Sequence, residues 1–196
     1  SSTALEVGDP GSAAVPGGYN LASGSTYSWR AKSVDAGALS SAFSAIRSFT
    51  VDTTVPTVST RTVDGSSLVI TYGEALDTGS TPANGDYAVL VNGVSRGVSA
   101  VGVSGSAVTL TLASAVRFAD TVTVAYTKPG SGMVRDQAVT VANAAAGNEA
   151  ATFAAAVAQN DTANVAPTAP TLGNPANALK LNTATPTLAA TFQDPD

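Results

Sequence analysis

Two acidic residues lie at the proline-containing linkers and two close the sequence, at positions where a divalent cation could bridge neighbouring domains. They are Asp52, Asp161, Asp194 and Asp196. Calcium takes about six to eight oxygen ligands, several of them from carboxylates, so acids at a domain junction suit it. No junction offers more than two acids in sequence, however, and solvated turn carboxylates account for the same pattern. Calcium is therefore the one cofactor that these four positions leave open, and we predict no other.

The remaining aspartates point to turns rather than to catalysis. Asp35, Asp77, Asp86 and Asp136 are scattered and mostly lie beside glycine or other small residues. Aspartate in that setting bonds to nearby backbone amides, so we predict that these side chains cap turns. The chain has no His and no Cys, which removes the commonest general base, the Ser–His arrangement and a thiolate nucleophile. We expect no catalytic residue and no enzymatic activity.

Aromatic side chains are the other candidates for ligand binding, because they can stack on sugar rings. Tyr27 and Trp29 have the necessary area, but both fall on the apolar side of an alternating segment. We therefore predict that they pack in a core. Tyr19 lies in a glycine-rich loop and is the aromatic residue that we expect to be exposed.

The composition excludes several classes of function. Only 12% of the residues are charged, about half the usual share, and the net charge is -5. A nucleic-acid-binding protein needs a basic stripe, which this sequence lacks. No apolar run approaches the length of a membrane span. A surface of Ser, Thr, Gly and Asn suits an extracellular or cell-surface β protein, so we expect that location without membrane insertion.

The elements that must position these residues are strands. Residues 107–129, AVTLTLASAVRFADTVTVAYTKP, contain two runs in which Val or Leu alternates with Thr, a pattern typical of half-buried strands. The polar break at residues 113–120 predicts a crossing between the two strands rather than a tight hairpin. The pair Asn92-Gly93 predicts a hairpin turn, and we expect the nearby Arg96 to be an outward charge at a sheet edge.

The central segments also carry a family resemblance. They read SSLVITYGEALD from Ser66, then TLASAV, TVTVAYT and RDQAV…AAAGNEAATF. Over residues 55–162 the sequence resembles a SwmB-type repeat, a module of large secreted and surface proteins of bacteria. The resemblance implies an immunoglobulin-like sandwich with a structural or adhesive role and no known catalytic residues. Residues 137–146 look like extra sequence inside the D-x-A-G-N region of that family.

The two ends resemble parts of other sandwich domains. Residues 21–34, LASGSTYSWRAKSV, resemble the L-x-x-G-x-x-Y corner of fibronectin type III domains, in which a tyrosine hydroxyl ties the turn back to the backbone. That resemblance implies this role for Tyr27 and directs Phe49 and Val51 into a core. Residues 163–196 resemble the first strands of a further fibronectin-like or bacterial immunoglobulin-like domain.

We therefore predict an all-β protein with an immunoglobulin-like sandwich at 53–162. It lies between the last strands of a fibronectin type III-like domain, 1–52, and the first strands of another domain, 163–196. Two explanations of the incomplete ends stay open: the chain is a window of a long tandem array, or neighbouring copies complete the ends head to tail. The expected function is a repeat unit of an extracellular stalk, fibre or adhesin, whose partners are neighbouring copies or adjacent domains. The alternative is a module that binds a carbohydrate or a host protein.

Overall fold

Alternating Val, Leu and Thr residues produce strands throughout the computed structural model, which describes residues 21–137, 148–174, 185, 187 and 189–193. In this part of the chain the fold is all-β, as predicted, and the one helical element is a short 3-10 turn, Asn84–Asp86. No helix in these residues has the length and hydropathy needed to cross a membrane. The chain divides into two units, Ser1–Thr54 and Val55–Asp196, and each is described by itself.

The described part of the first unit contains one two-stranded antiparallel ribbon. Its strands are β1, Thr26–Trp29, and β2, Arg47–Thr50. Tyr27 is paired with Phe49 across the ribbon, and their rings stack with centroids 5.9 Å apart.

Eight strands of the second unit form one continuous set of pairings. They are β3 (Val58–Asp64), β4 (Ser67–Tyr72), β5 (Tyr87–Val91), β6 (Val94–Arg96), β7 (Val98–Ser104), β8 (Ala107–Leu112), β9 (Val122–Tyr126) and β10 (Phe153–Asn160). Their order is β6-β5-β9-β10-β3-β4-β8-β7.

Strand β10 divides this set into the two layers of a sandwich. Its first part pairs antiparallel with β9 in the β6-β5-β9 layer, and its register shifts between Phe153 and Ala156. Its last residues, Gln159 and Asn160, pair in parallel with β3 in the β3-β4-β8-β7 layer. A bulge bends a strand and increases its twist, which lets one strand serve both layers.

The predicted crossing at residues 113–120 is confirmed. Strand β8 pairs with β4 and β7, whereas β9 pairs with β5 and β10, so the chain changes layers between them. The predicted turn at Asn92-Gly93 is also confirmed, because both residues have positive φ angles, 52° and 80°. That geometry is the one required of a two-residue hairpin whose twist matches its strands.

One hydrophobic core lies between the two layers. The alternating segments of the sequence predict that eight apolar residues face this core, and all eight are buried: Leu68, Ile70, Tyr72, Leu110, Leu112, Val122, Val124 and Tyr126. Side chains of both layers belong to the same cluster, so the sandwich is closed around a single interior. Burying each large apolar side chain contributes about 1.5–3 kcal/mol.

A second ribbon follows the sandwich within the second unit. Strands β11, Thr168–Asn174, and β12, Ala189–Gln193, pair antiparallel with two irregularities in register. The Ala-rich composition of residues 138–146 allows a short helix in the sequence, but this stretch lies outside the described residues. The division at 53–162 and 163–196 stays a prediction.

Candidate functional site

The first unit contains the tyrosine corner that the resemblance of residues 21–34 to fibronectin type III domains implied. The Tyr27 hydroxyl accepts a hydrogen bond from the Ala22 backbone N–H at 2.9 Å. The Gly24 N–H donates to the Val51 carbonyl at 2.8 Å, and Gly24 has a φ of 76°, which glycine adopts without strain. The tyrosine therefore fixes the turn that enters β1.

The aromatic face of this ribbon differs from the prediction. Trp29 is 48% exposed and Phe49 is 44% exposed, although both were predicted to pack in a core. The physical reason is that a two-stranded ribbon has only one layer, and nothing among residues 21–54 covers its apolar side. Exposed apolar patches of this kind mark interaction sites.

Other apolar side chains of the first unit are exposed as well. They are Val34, Leu39, Phe43 and Ile46. The Arg30 guanidinium lies 3.9 Å from the centre of the Phe43 ring and the Lys32 ammonium 5.3 Å from it. Both contacts are cation–π pairs, so two positive charges lie close to the Phe43 ring.

The second ribbon is exposed in the same manner. Leu172, on β11 opposite Ala190 of β12, is 80% exposed. The alternation of Leu188, Ala190 and Phe192 in the sequence predicts a strand with one apolar face. Leu188 and the side chain of Phe192 lie outside the described residues.

Most of the scattered aspartates cap turns, as predicted. Asp35 accepts hydrogen bonds from the Gly37 and Leu39 N–H groups, both at 2.9 Å, and Asp86 accepts one from Ala83 N–H at 2.7 Å. Asp77 accepts from the Gly79 N–H at 2.8 Å and also pairs with Arg135 at 2.7 Å.

Asp136 differs from the other aspartates because it is buried, only 5% exposed. Its Oδ2 accepts a hydrogen bond from Asn148 Nδ2 at 2.7 Å, and the Asp136 N–H donates to the Asn148 carbonyl at 3.0 Å. These are the two ends of the interrupted D-x-A-G-N region. The structure therefore joins Asp136 and Asn148 directly, although the extra sequence between them separates the two residues along the chain.

Of the four predicted calcium candidates, two lie in the described residues. Asp52, in the first unit, is exposed, and its Oδ1 accepts a hydrogen bond from the Thr54 N–H at 2.9 Å. Asp161, in the second unit, is exposed, and its Oδ1 accepts from Gln159 Nε2 at 2.7 Å. Asp194 and Asp196 lie outside the described residues, as does Tyr19, so calcium binding at these linkers stays a prediction.

Arg96 lies on an edge strand, as expected, but its guanidinium makes hydrogen bonds within the sandwich. Its Nη1 donates to the carbonyls of Ser114 and Ala115 at 2.9 and 3.0 Å and to the Ser114 hydroxyl at 2.5 Å. Arg96 therefore anchors the crossing that joins the two layers. Sequence reasoning missed this contact because Arg96 lies on β6 and Ser114 in the crossing, 18 residues further along the chain.

A family comparison agrees with the central resemblance. Residues 51–131 match the model of a family described as "Putative flagellar system-associated repeat". This match covers less than half of the chain and supports a repeat module in its centre. The resemblances proposed for residues 1–52 and 163–196 stay predictions. No characterised protein matches the chain at a significant level.

Two solved structures are loosely similar to the chain. One is the N-terminal part of the bacterial S-layer protein SbsC, with a TM-score of 0.43 and 19% identity over 61% of this chain. The other is domains 1–6 of the surface layer protein SbsC, with a TM-score of 0.42 and 20% identity over 61% of this chain. The matches cover 26% and 15% of those proteins, so the chain spans a small part of their length.

Proposed function

We propose that this chain is a structural repeat module of an extracellular stalk, fibre or adhesin at a bacterial cell surface, without enzymatic activity. The observation that carries the proposal is the contrast between a closed central sandwich and an aromatic ribbon whose apolar side is uncovered. The match of residues 51–131 to a repeat family supports it, because repeat modules work by joining to neighbours.

The central sandwich has the properties of a spacer. Its two outermost strands offer limited edges for pairing with other chains, since β6 has only three residues and the Asn84 side chain occupies the Ser99 carbonyl of β7 at 2.9 Å. Short or covered edges prevent edge-to-edge association. Contacts with neighbours must then come from other parts of the chain.

The ribbons are the parts that need neighbours. A two-stranded ribbon is marginally stable in water by itself, and both ribbons expose large apolar side chains, Trp29 on one and Leu172 on the other. Strands from a neighbouring copy would cover the apolar face and pair with free edges. Head-to-tail repetition of this contact builds an open filament.

Light scattering and electron microscopy of the purified chain test this function. We expect concentration-dependent oligomers or filaments of repeating beads, and we expect Trp29→Ser to abolish them by removing the largest exposed ring. Val157→Ser on β10 is the matched control, because Val157 is 68% exposed but belongs to the closed sandwich. A strictly monomeric wild-type chain at millimolar concentration contradicts assembly through copies of this chain.

The exposure of Trp29 also favours a second candidate, a carbohydrate-binding module displayed on a surface protein. An exposed indole ring provides a platform on which a sugar ring can stack. Glycan-array binding separates the two candidates. A binding module retains a specific glycan signal that Trp29→Ser removes, whereas a purely structural module shows none.

A further inference from the structure

Asp136 has one carboxylate oxygen that the surrounding protein leaves without a hydrogen-bond donor. The side chain is buried, and Oδ2 is satisfied by Asn148. Its Oδ1 is also shielded from solvent and has no hydrogen-bond partner. A buried carboxylate oxygen without a partner is costly, and buried charges in proteins are normally paired or bound to a metal.

Backbone contacts with two other segments hold Asp136 in place. Residue 136 forms an antiparallel bridge with Leu76, and the Gln137 N–H donates to the Ala75 carbonyl at 3.2 Å. On the other side the Asp136 N–H donates to the Asn148 carbonyl. The aspartate is therefore fixed from both sides, which a binding site needs if its ligands are to be preorganised.

A second carboxylate approaches the same position. Glu74 comes just before the bridged segment, and its carboxylate and that of Asp136 offer oxygens within 4.8 Å of each other. The arginine next in sequence, Arg135, is directed away to Asp77, with which its Nη2 makes an ion pair at 2.7 Å. Two carboxylates at this separation repel each other unless a positive charge lies between them.

We propose that Glu74 and Asp136 bind a calcium ion. Both offer carboxylate oxygens, the hard ligands that calcium prefers, and backbone carbonyls and water complete its coordination in flexible sites. Both residues belong to the second unit, and the site does not rest on the proposed assembly function. A bound ion would join the segment after β4 to Asp136, which strengthens the sandwich at that point.

The test is a calcium titration of the whole chain after treatment with a chelator. The melting temperature is measured up to about 10 mM calcium, above the ~0.1–1 mM dissociation constants of extracellular calcium modules. We expect a saturable increase of about 5–10 °C, because an ion that binds only the folded state raises its stability. Sodium chloride at equal ionic strength should not reproduce the increase.

Three variants locate the site. Glu74→Gln and Asp136→Asn each remove one charged ligand with little change of shape, and we expect each to weaken calcium binding at least tenfold. Glu74 is only partly buried, so Glu74→Gln keeps the test valid even where Asp136→Asn fails to fold. Asp64→Asn removes an exposed carboxylate at the end of β3 and should respond to calcium as the wild-type chain does.

Several results overturn the proposal. One is a wild-type melting temperature that does not respond to calcium, or responds equally to sodium chloride. Another is a calcium response of the same size in Glu74→Gln as in Asp64→Asn, which would place the ion elsewhere. A melting temperature that depends on pH alone would show that the two carboxyl groups share a proton instead of a cation.

Discussion

At the scale of single residues, two adjacent tyrosines of the core differ in what their hydroxyl groups do. The rings of Tyr87 and Tyr126 lie with centroids 5.0 Å apart, and burial raises the pKa of both hydroxyls above the usual range. The Tyr126 hydroxyl accepts a hydrogen bond from the buried Val134 N–H at 3.0 Å. The Tyr87 hydroxyl is buried without a partner in the described part of the chain.

This difference predicts that replacing tyrosine with phenylalanine changes the free energy of unfolding differently at the two positions. Tyr126→Phe leaves the Val134 N–H buried and unpaired, so we expect a loss of about 1–3 kcal/mol in the free energy of unfolding. Tyr87→Phe removes a hydroxyl that has no partner, so we expect no loss or a small gain. Urea denaturation of both variants measures these values, and equal losses would contradict the hydrogen bond to Val134.

Two glycines with positive φ provide a second matched pair. Gly132 has a φ of 67°, and a Cβ there would lie 2.9 Å from the Thr81 carbonyl oxygen. Gly105 has a φ of 57° and open space around the corresponding position. Gly105→Ala therefore meets only the backbone penalty, about 1–2 kcal/mol, whereas Gly132→Ala adds a steric clash and should cost clearly more. The two unfolding free energies test this, and a smaller loss for Gly132→Ala would rule out the clash.

At the scale of elements, two aspartates hold loops against the sandwich. Asp120, at the end of the crossing, accepts hydrogen bonds from the Arg117 N–H at 2.8 Å and from Asn92 Nδ2 at 2.6 Å, which hold its pKa below the usual range. The Arg135 side chain and then the Gly79 N–H lower the pKa of Asp77 in the same way. Each carboxylate thus connects segments from different parts of the sequence.

These two lowered pKa values predict a loss of stability in acid. The unfolded chain binds a proton at each aspartate near pH 3.9, while the folded chain resists protonation until lower pH. Their contribution is therefore complete above about pH 5 and is lost as the pH falls through the lowered native pKa values. The melting temperature, measured from pH 6 downward, should decline below about pH 5. The decline should be less steep in Asp77→Asn and Asp120→Asn than in the wild-type chain. An identical slope in the wild-type chain and both variants would contradict it.

At the scale of the whole molecule, the closed core predicts that the central segment folds by itself. All eight strands of the sandwich and every buried core residue lie between Val58 and Asn160. We expect a fragment of residues 55–162 to unfold in one cooperative transition, with coincident curves from fluorescence and far-ultraviolet circular dichroism. A fragment with strand content but no cooperative transition would show that the ribbons are needed to complete this core.

Local patterns in the sequence determined the strands, the turns and the crossing of this protein. Alternation of Val and Leu with Thr sets which face of a strand is buried, because side chains point to opposite faces with a period of two. Asn92-Gly93 determined its turn because few residues adopt two successive positive φ angles. The Tyr27 corner was equally local, since its hydrogen bond spans five residues.

Only the tertiary structure decided what each face meets. The alternation marked Trp29 and Phe49 as apolar, but their exposure depends on whether a second layer covers the ribbon. The meeting of Glu74 with Asp136 likewise depends on how separate segments pack. Both features depend on residues that are far apart in sequence. They are therefore set by the packing of the folded chain, and no short segment of the sequence predicts them.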